Sequence, residues 1–324
     1  MTHHQWKSSC YSSQKIRVLL VILLTIITFC TGCSQQRNQD LNGSSSLPPN
    51  YALNQKSQKI TIAVISNQAS ANKLDQLPNL AKYLESNLSH QFEIKVYPDY
   101  ETVVELLVNE KVQIAYLTSF SYIKAKEKNP NLEPILAPIS KKTGRPWHTS
   151  IIIANANKIK SIQDLNNKRF GFVSKSSTTG YLIPAIEFFL AREINPEQVF
   201  QEVKFLGSHE QAITALISGK VDAVATSLES IEGEKFAQQL QSLMYAKIWE
   251  SSPSPTDPIV VSTTIQPILV NGIKKVLLDA PKEIISISGV EISGYTIVDD
   301  LNYERIRKMQ QQLEEINQNQ NNSI

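Results

Sequence analysis

The chain has 324 residues and a net charge of +2, from 32 Lys and Arg against 30 Asp and Glu, which excludes the strongly basic surface of a nucleic-acid-binding protein. Its cysteines, Cys10, Cys30 and Cys33, all lie near the N-terminus, so the rest of the chain has no disulfide, cysteine nucleophile or thiolate metal site. Roughly 250 residues remain between the polar terminal segments, enough for one large α/β domain or two lobes.

Lys15 and Arg17 precede a 12-residue apolar run, Val18 to Phe29, followed by "CTGC". This is the pattern of a secretory signal and is short for a membrane span. Thr31, Gly32 and Cys33 fit the small-small-Cys box of bacterial lipoproteins, so Cys33 is expected to be diacylated and to become the mature N-terminus; Cys30 stands where that box usually has Leu. An uncleaved anchor helix is the alternative, and either puts the bulk of the chain outside the cytoplasm, in the periplasm or on the outer face of the membrane. Cleavage would remove Lys7, Lys15 and Arg17 but no acid, turning the net charge from +2 to −1. Residues 34–58, rich in Gln, Asn, Ser and Pro, read as a flexible linker.

The folded part opens with "KITIAVIS", a β-branched run that reads as a buried strand. Leu77, Leu80, Ala81, Leu84 and Leu88 then recur at the spacing of one helix face. Strand "FEIKVYP", a helix from Glu101 to Asn109 and strand "VQIAYL" follow. The series continues through "LEPILAPI", "TSIIIANA", "RFGFVS", a helix from Thr178 to Leu190, "QEVKFL", a helix from Glu210 and "VDAVAT". Such alternation predicts α/β architecture with parallel strands and helical crossovers. The tail, residues 310–324, reads as a helix end running into disorder.

"ETVVELLVNEKVQIAYLTS" and "EQAITALISGKVDAVATSL" align without a gap, Glu101 on Glu210, Leu107 on Leu216 and Lys111 on Lys220. Either this is the common look of a helix-turn-strand unit or two similar lobes face each other across a cleft. In such lobes a ligand sits at strand C-termini, where helix N-termini converge. Ser177, Thr178 and Thr179 occupy that place, after strand Arg169 to Val173 and at the start of a helix. Unpaired N–H groups, the helix dipole and rotatable hydroxyls suit an anion there, although ordinary N-capping needs only one of them. No Gly-Lys-Ser/Thr of a P-loop, no Gly-x-Ser-x-Gly elbow and no His-Glu-x-x-His pair is present, and His90, His148 and His209 are scattered, so neither metal nor cofactor is expected.

The stretch "DLNNKRFGFVSKSSTTGYLIP" resembles the signature of substrate-binding proteins of phosphate/phosphite/phosphonate ABC transporters, in which a Ser-Thr-Ser-Gly turn opens a helix at the ligand. "YPDYETVVELLVNEKVQIAYL", "GRPWHTSIII", "FLGSHEQAITALISGKVDAV", "IWESSPSPTDPIVV" and "VDDLNYERIRKM" agree in order, so the resemblance runs from about Ile60 to Met309. It implies a type II periplasmic-binding-protein fold, with two α/β lobes joined by crossovers near Arg145 to Ser150 and Ser252 to Asp257. Lobe 1 would be residues 59–146 plus 253–309 and lobe 2 residues 147–252. The resemblance places the ligand oxygens against Ser177, Thr178 and Thr179, with Tyr100 and His209 close by. Ser208 with Gln211 forms a capping-box pattern that points a second helix start the same way.

Glu229 and Asp257 match positions where aminoalkylphosphonate binders of the family hold the ligand's ammonium group. Two carboxylates beside a dianion repel it unless a cation sits between, which points to a zwitterion. Otherwise Glu229 is a solvated helix residue and Asp257 a hinge residue, with phosphite, phosphate and alkylphosphonates still open. The sequence departs from the family at His148, where a cleft Tyr is common, at Thr179, which replaces the second Ser, and at "YLTSF", which replaces a Gly- or Pro-containing turn.

The implied function is a lipid-anchored, monomeric receptor that hands a small oxyanion to the permease and ATPase subunits of an importer. Alternatives are a sensor of the same fold signalling to a membrane partner, and an enzyme with Ser177 as nucleophile and His209 as base.

Overall fold

The computed structural model describes residues 59–66, 76–232, 234–281, 287 and 292–321. The signal segment, Cys33 and the linker at 34–58 lie outside the described residues. Among the described residues, thirteen strands form three sheets.

The six-stranded sheet has the order β13-β4-β12-β3-β1-β2, from β1 (Ile60–Ile65), β2 (Phe92–Tyr97), β3 (Ile114–Tyr116), β4 (Glu133–Ser140), β12 (Ile259–Val261) and β13 (Ile292–Ile297). The five-stranded sheet has the order β10-β6-β9-β7-β8, from β6 (Ser150–Asn155), β7 (Arg169–Phe172), β8 (Glu202–Phe205), β9 (Ala223–Ser227) and β10 (Tyr245–Glu250). The chain crosses between them twice. The crossings, β5 (Trp147–His148) and β11 (Ser254–Pro255), pair antiparallel, with Ser254 opposite His148.

The sequence pattern predicts parallel strands, yet both sheets are mixed. β1 runs parallel to β2 and β3, and β7 to β8 and β9, whereas β12 is antiparallel to β3 and β6 antiparallel to β9. The reason lies in the crossings: β6 and β12 each leave a crossover and so start at the end of the sheet where their neighbours finish.

Central strands are buried on both faces, as strands covered by helices are. In β1, Ile60, Ile62 and Val64 pack with Leu80 and Leu84 of the helix Leu77–Asn87, while Ala63 and Ile65 face a second cluster. That second cluster continues into the other sheet through Ile151 and Ile153 of β6, and the opposite face of β6 packs on Phe170, Phe172, Phe188 and Phe189.

Two segments depart from expectation. The helix from Thr178 is wound as π turns, Thr178–Leu182 and Pro184–Phe189, and ends in a 3₁₀ turn, Leu190–Arg192. Pro184 lacks an N–H and its ring crowds an α-helical turn, and a wider register accommodates it. At the C-terminus the helix Glu304–Asn321 continues well past Gln310, where the sequence pattern suggests disorder. Leu313 and Ile316 pack against the core, and the Gln310 amide donates to Glu127 at 2.5 Å, so the polar-looking segment has a partner surface. Among the described residues no helix is long and apolar enough to cross a membrane.

Candidate functional site

Four helix starts meet where the two larger sheets face each other. Asp99 accepts from Thr102 N at 2.7 Å and caps the helix Tyr100–Val108. Thr118 accepts from Ser121 N at 3.0 Å and caps the helix Ser119–Lys128. Ser177 accepts from Gly180 N at 3.0 Å at the head of the π-wound helix, and Ser208 from Gln211 N at 3.0 Å at the head of the helix His209–Ile217. Each cap satisfies one orphan N–H and leaves others of the first turn directed outward.

These starts surround a cavity of about 110 Å³. All eight side chains singled out in the sequence line it: Tyr100, His148, Ser177, Thr178, Thr179, His209, Glu229 and Asp257. Tyr100, Thr118 and Asp257 come from the side of the six-stranded sheet, and Ser177, Thr178, Thr179, His209 and Glu229 from the side of the five-stranded one. His148 and half-exposed Trp147 come from the crossover itself.

Sequence reasoning missed Thr118, Ser227, Ser230 and Thr256 in this lining. The signals are short-range: Thr118 and Ser121 have the spacing of a cap and its N3 position, and Ser227 accepts from Ser230 N at 3.2 Å in the same way.

Burial shapes the chemistry. The hydroxyl turn is buried, and Gly180 is required behind it because a Cβ there would lie 2.3 Å from Val173 Cγ2. His209 Nδ1 is 2.8 Å from Thr226 Oγ1, and its Nε2 is 3.5 Å from Thr179 Oγ1. Burial pushes His209 down to about 4, and burial with the neighbouring His209 ring pushes His148 down to about 3, so both imidazoles are neutral near pH 7. Glu229 is pushed up to about 7, mainly by burial; the backbone N–H groups of Glu229 and Thr149 and the Ser227 hydroxyl pull the other way. Asp257 Oδ1 accepts from Ser119 N at 3.0 Å, and its charge together with burial raises the Tyr100 hydroxyl above its ordinary range.

Three polar atoms of this lining are buried without a hydrogen-bond partner of ordinary geometry: Tyr100 Oη, His148 Nε2 and Glu229 Oε2. A buried unpaired polar atom costs roughly 1–3 kcal/mol, so their convergence on one cavity marks a place built for a polar guest. Ser177 and His209 make no hydrogen bond to each other; the imidazole instead reaches Thr226 and Thr179, which is not a nucleophile–base arrangement. Among the described residues no cluster of His, Cys, Asp and Glu fits a metal ion.

Two mixed sheets, joined by paired crossovers and closing over a polar cavity at helix starts, define the type II periplasmic-binding-protein class. The family described as "ABC transporter, phosphonate, periplasmic substrate-binding protein" matches residues 62–310, and the chain belongs to it. It is 25% identical over 222 residues to the phosphonates-binding periplasmic protein of Escherichia coli (strain K12), covering 67% of this chain and 64% of that protein. It is 28% identical over 171 residues to the phosphate-import protein PhnD of Mycolicibacterium smegmatis, covering 51% of this chain and 53% of that protein. The chain thus matches less than two thirds of either relative's length. PhnD1 from Prochlorococcus marinus (MIT 9301), solved with methylphosphonate, superposes with a TM-score of 0.70 at 18% identity over 80% of this chain and 99% of that one, a likeness of fold.

Proposed function

We propose that the chain is the solute-receiving component of an ABC importer, binding a small phosphorus oxyanion and passing it to permease and ATPase subunits. The observation that carries this is the convergence of hydroxyls, two neutral imidazoles and helix starts from both sides on one buried cavity, with Tyr100 Oη and His148 Nε2 unpartnered. Ser177, Thr178 and Thr179 hold the oxygens as neutral donors, with Tyr100, His148 and His209 completing the shell. Such a set satisfies a dianion without a fixed positive charge, so the ligand is held and can still leave.

Glu229 refines the ligand. Its Oε2 is buried without a partner, whereas Asp257 already accepts from Ser119 N, so Glu229 is the carboxylate available to an ammonium group. A zwitterionic aminoalkylphosphonate is the ligand this lining favours, with alkylphosphonate, phosphite and phosphate as its competitors. The two larger sheets are read as the two lobes, with β5 and β11 as the hinge. Lipid on Cys33 is read as the anchor, the receptor working as a monomer outside the cytoplasm.

Calorimetric titration of the purified chain with 2-aminoethylphosphonate, methylphosphonate, phosphite, phosphate and sulfate tests the reading. Tight binding of the amino compound supports the role of Glu229, and preference for phosphite or phosphate reduces that residue to scaffold. Silence from all five overturns the oxyanion assignment. Loss of incorporated fatty acid in Cys33→Ala cells checks the anchor.

A further inference from the structure

The turn "TSFS", Thr118 to Ser121, departs from the family pattern, and of its four residues only Thr118 lines the cavity. In the structure it opens the helix Ser119–Lys128 beside the six-stranded sheet and presses against the turn Ser174–Thr178 beside the five-stranded sheet. Thr118 Oγ1 and Ser121 Oγ lie 2.8 and 3.1 Å from the Ser176 carbonyl. Each hydroxyl has one proton, so both can donate to that oxygen at once while Thr118 Oγ1 accepts from Ser121 N.

Phe120 N donates to Thr178 Oγ1 at 2.9 Å. Lys124 Nζ donates to the Lys175 carbonyl at 2.9 Å and to Ser176 Oγ at 3.0 Å, and Ser176 Oγ donates to Glu101 Oε1 at 2.8 Å. All of these join protein to protein between the two sides of the cavity, and none requires a ligand.

We propose that Thr118, Ser121 and Lys124 are positioning residues, forming a latch that holds the two sides together before any ligand enters and orients Thr178 for it. Phe120 N–H belongs to the first turn of its helix and has no intrahelical acceptor. In the latched form it occupies a lone pair of Thr178 Oγ1, which leaves that hydroxyl's single proton for the cavity that Thr178 lines. An open molecule loses both effects together. Apparent affinity scales with the fraction of molecules in the competent form, so Ser121 and Lys124, which lie outside the lining, raise affinity without touching the ligand. This inference rests on the two-sided cavity of the proposed function and not on the identity of its ligand.

Ser121 and Lys124 lie outside the cavity lining, so changing them leaves the binding groups in place. Amide hydrogen exchange on the full ligand-free chain is the first measurement, comparing wild type with Ser121→Ala, Lys124→Met and Lys124→Arg. We expect Phe120 N–H to exchange slowly in wild type, on the order of tenfold faster in Ser121→Ala and Lys124→Met, and close to wild type in Lys124→Arg, which keeps its donors. Saturating methylphosphonate should restore protection in the weakened variants, while its dissociation quickens by about tenfold and association changes less. Unaltered exchange at β1 and β6 shows that each variant is folded; if one is not, the other decides.

An unprotected Phe120 amide in ligand-free wild type, or equal protection in all four proteins, overturns the latch. Failure of the oxyanion reading looks different: none of 2-aminoethylphosphonate, methylphosphonate, phosphite, phosphate and sulfate restores protection in the weakened variants, while the ligand-free comparison still reports on the latch.

Discussion

His209 Nδ1 sits 2.8 Å from the buried hydroxyl of Thr226, on the strand that ends at the cavity. When the Thr226 hydroxyl donates to Nδ1, the ring proton is on Nε2, which faces Thr179 at 3.5 Å and can then donate to an anion. In Thr226→Val the imidazole loses that orienting donor. Affinity for methylphosphonate should fall on the order of tenfold, as for one hydrogen bond to a charged group. Nitrogen chemical shifts of His209 in the complex should show less of the Nε2–H tautomer, and unchanged shifts and affinity would refute the role of Thr226.

Gly180 packs against the Val173 side chain behind the hydroxyl turn. A Cβ added there meets Val173 Cγ2 at 2.3 Å and Val173 Cβ at 2.5 Å, and Ser177 Oγ, the cap of the same helix, at 3.0 Å. Gly180→Ala should lower unfolding free energy by about 1–3 kcal/mol through overpacking and abolish measurable binding by displacing Ser177. Denaturant titration beside calorimetry checks both, and a variant that binds normally removes the need for glycine.

Glu229 and Asp257 are distinguished by their existing partners. Because Glu229 Oε2 is unpartnered and Asp257 Oδ1 caps Ser119 N, Glu229→Gln should weaken 2-aminoethylphosphonate by on the order of tenfold and leave methylphosphonate within about threefold. Asp257→Asn should instead weaken both ligands through a poorer helix start. Equal losses for both ligands in Glu229→Gln would assign that residue to the scaffold.

The buried titratable groups make stability depend on pH in opposing ways. His148 and His209 are held at about 3 and about 4 in the folded chain, below the ordinary value of 6.5. Only the unfolded chain takes up their protons as pH falls from about 6.5 toward 4, so stability falls with pH in that window. Glu229 has the opposite sign: its folded value of about 7 exceeds the ordinary 4.5, so its contribution is whole below about 4.5 and is lost as pH rises toward 7. Each group changes stability by at most about 1.4 kcal/mol per pH unit. Melting curves of the ligand-free chain from pH 4.5 to 7 should therefore rise more steeply with pH in Glu229→Gln than in wild type and less steeply in His209→Gln. Parallel curves would show that these groups titrate alike in both states.

The sequence by itself determined what depends on neighbours along the chain. The runs that became β1, β7 and β9, the apolar stripe of Leu77, Leu80 and Leu84, and the caps at Ser177 and Ser208 are all local patterns of period, propensity and hydroxyl placement. Family motifs pointed to eight residues that the fold brings around one cavity, because motif order survives where overall identity is low. Tertiary structure decided the rest. Strand direction in β6 and β12 follows from the side on which a crossover enters, which no periodicity encodes. The helical tail depends on a distant surface: Leu313 and Ile316 find the core only once both sheets are assembled. "TSFS" read as a mere departure in a turn until Ser176, 58 residues beyond Thr118, met it across the cavity. The inequality of Glu229 and Asp257 is likewise invisible in sequence, since two similar carboxylates become different only when burial leaves one oxygen of Glu229 unpartnered and a helix start occupies one oxygen of Asp257.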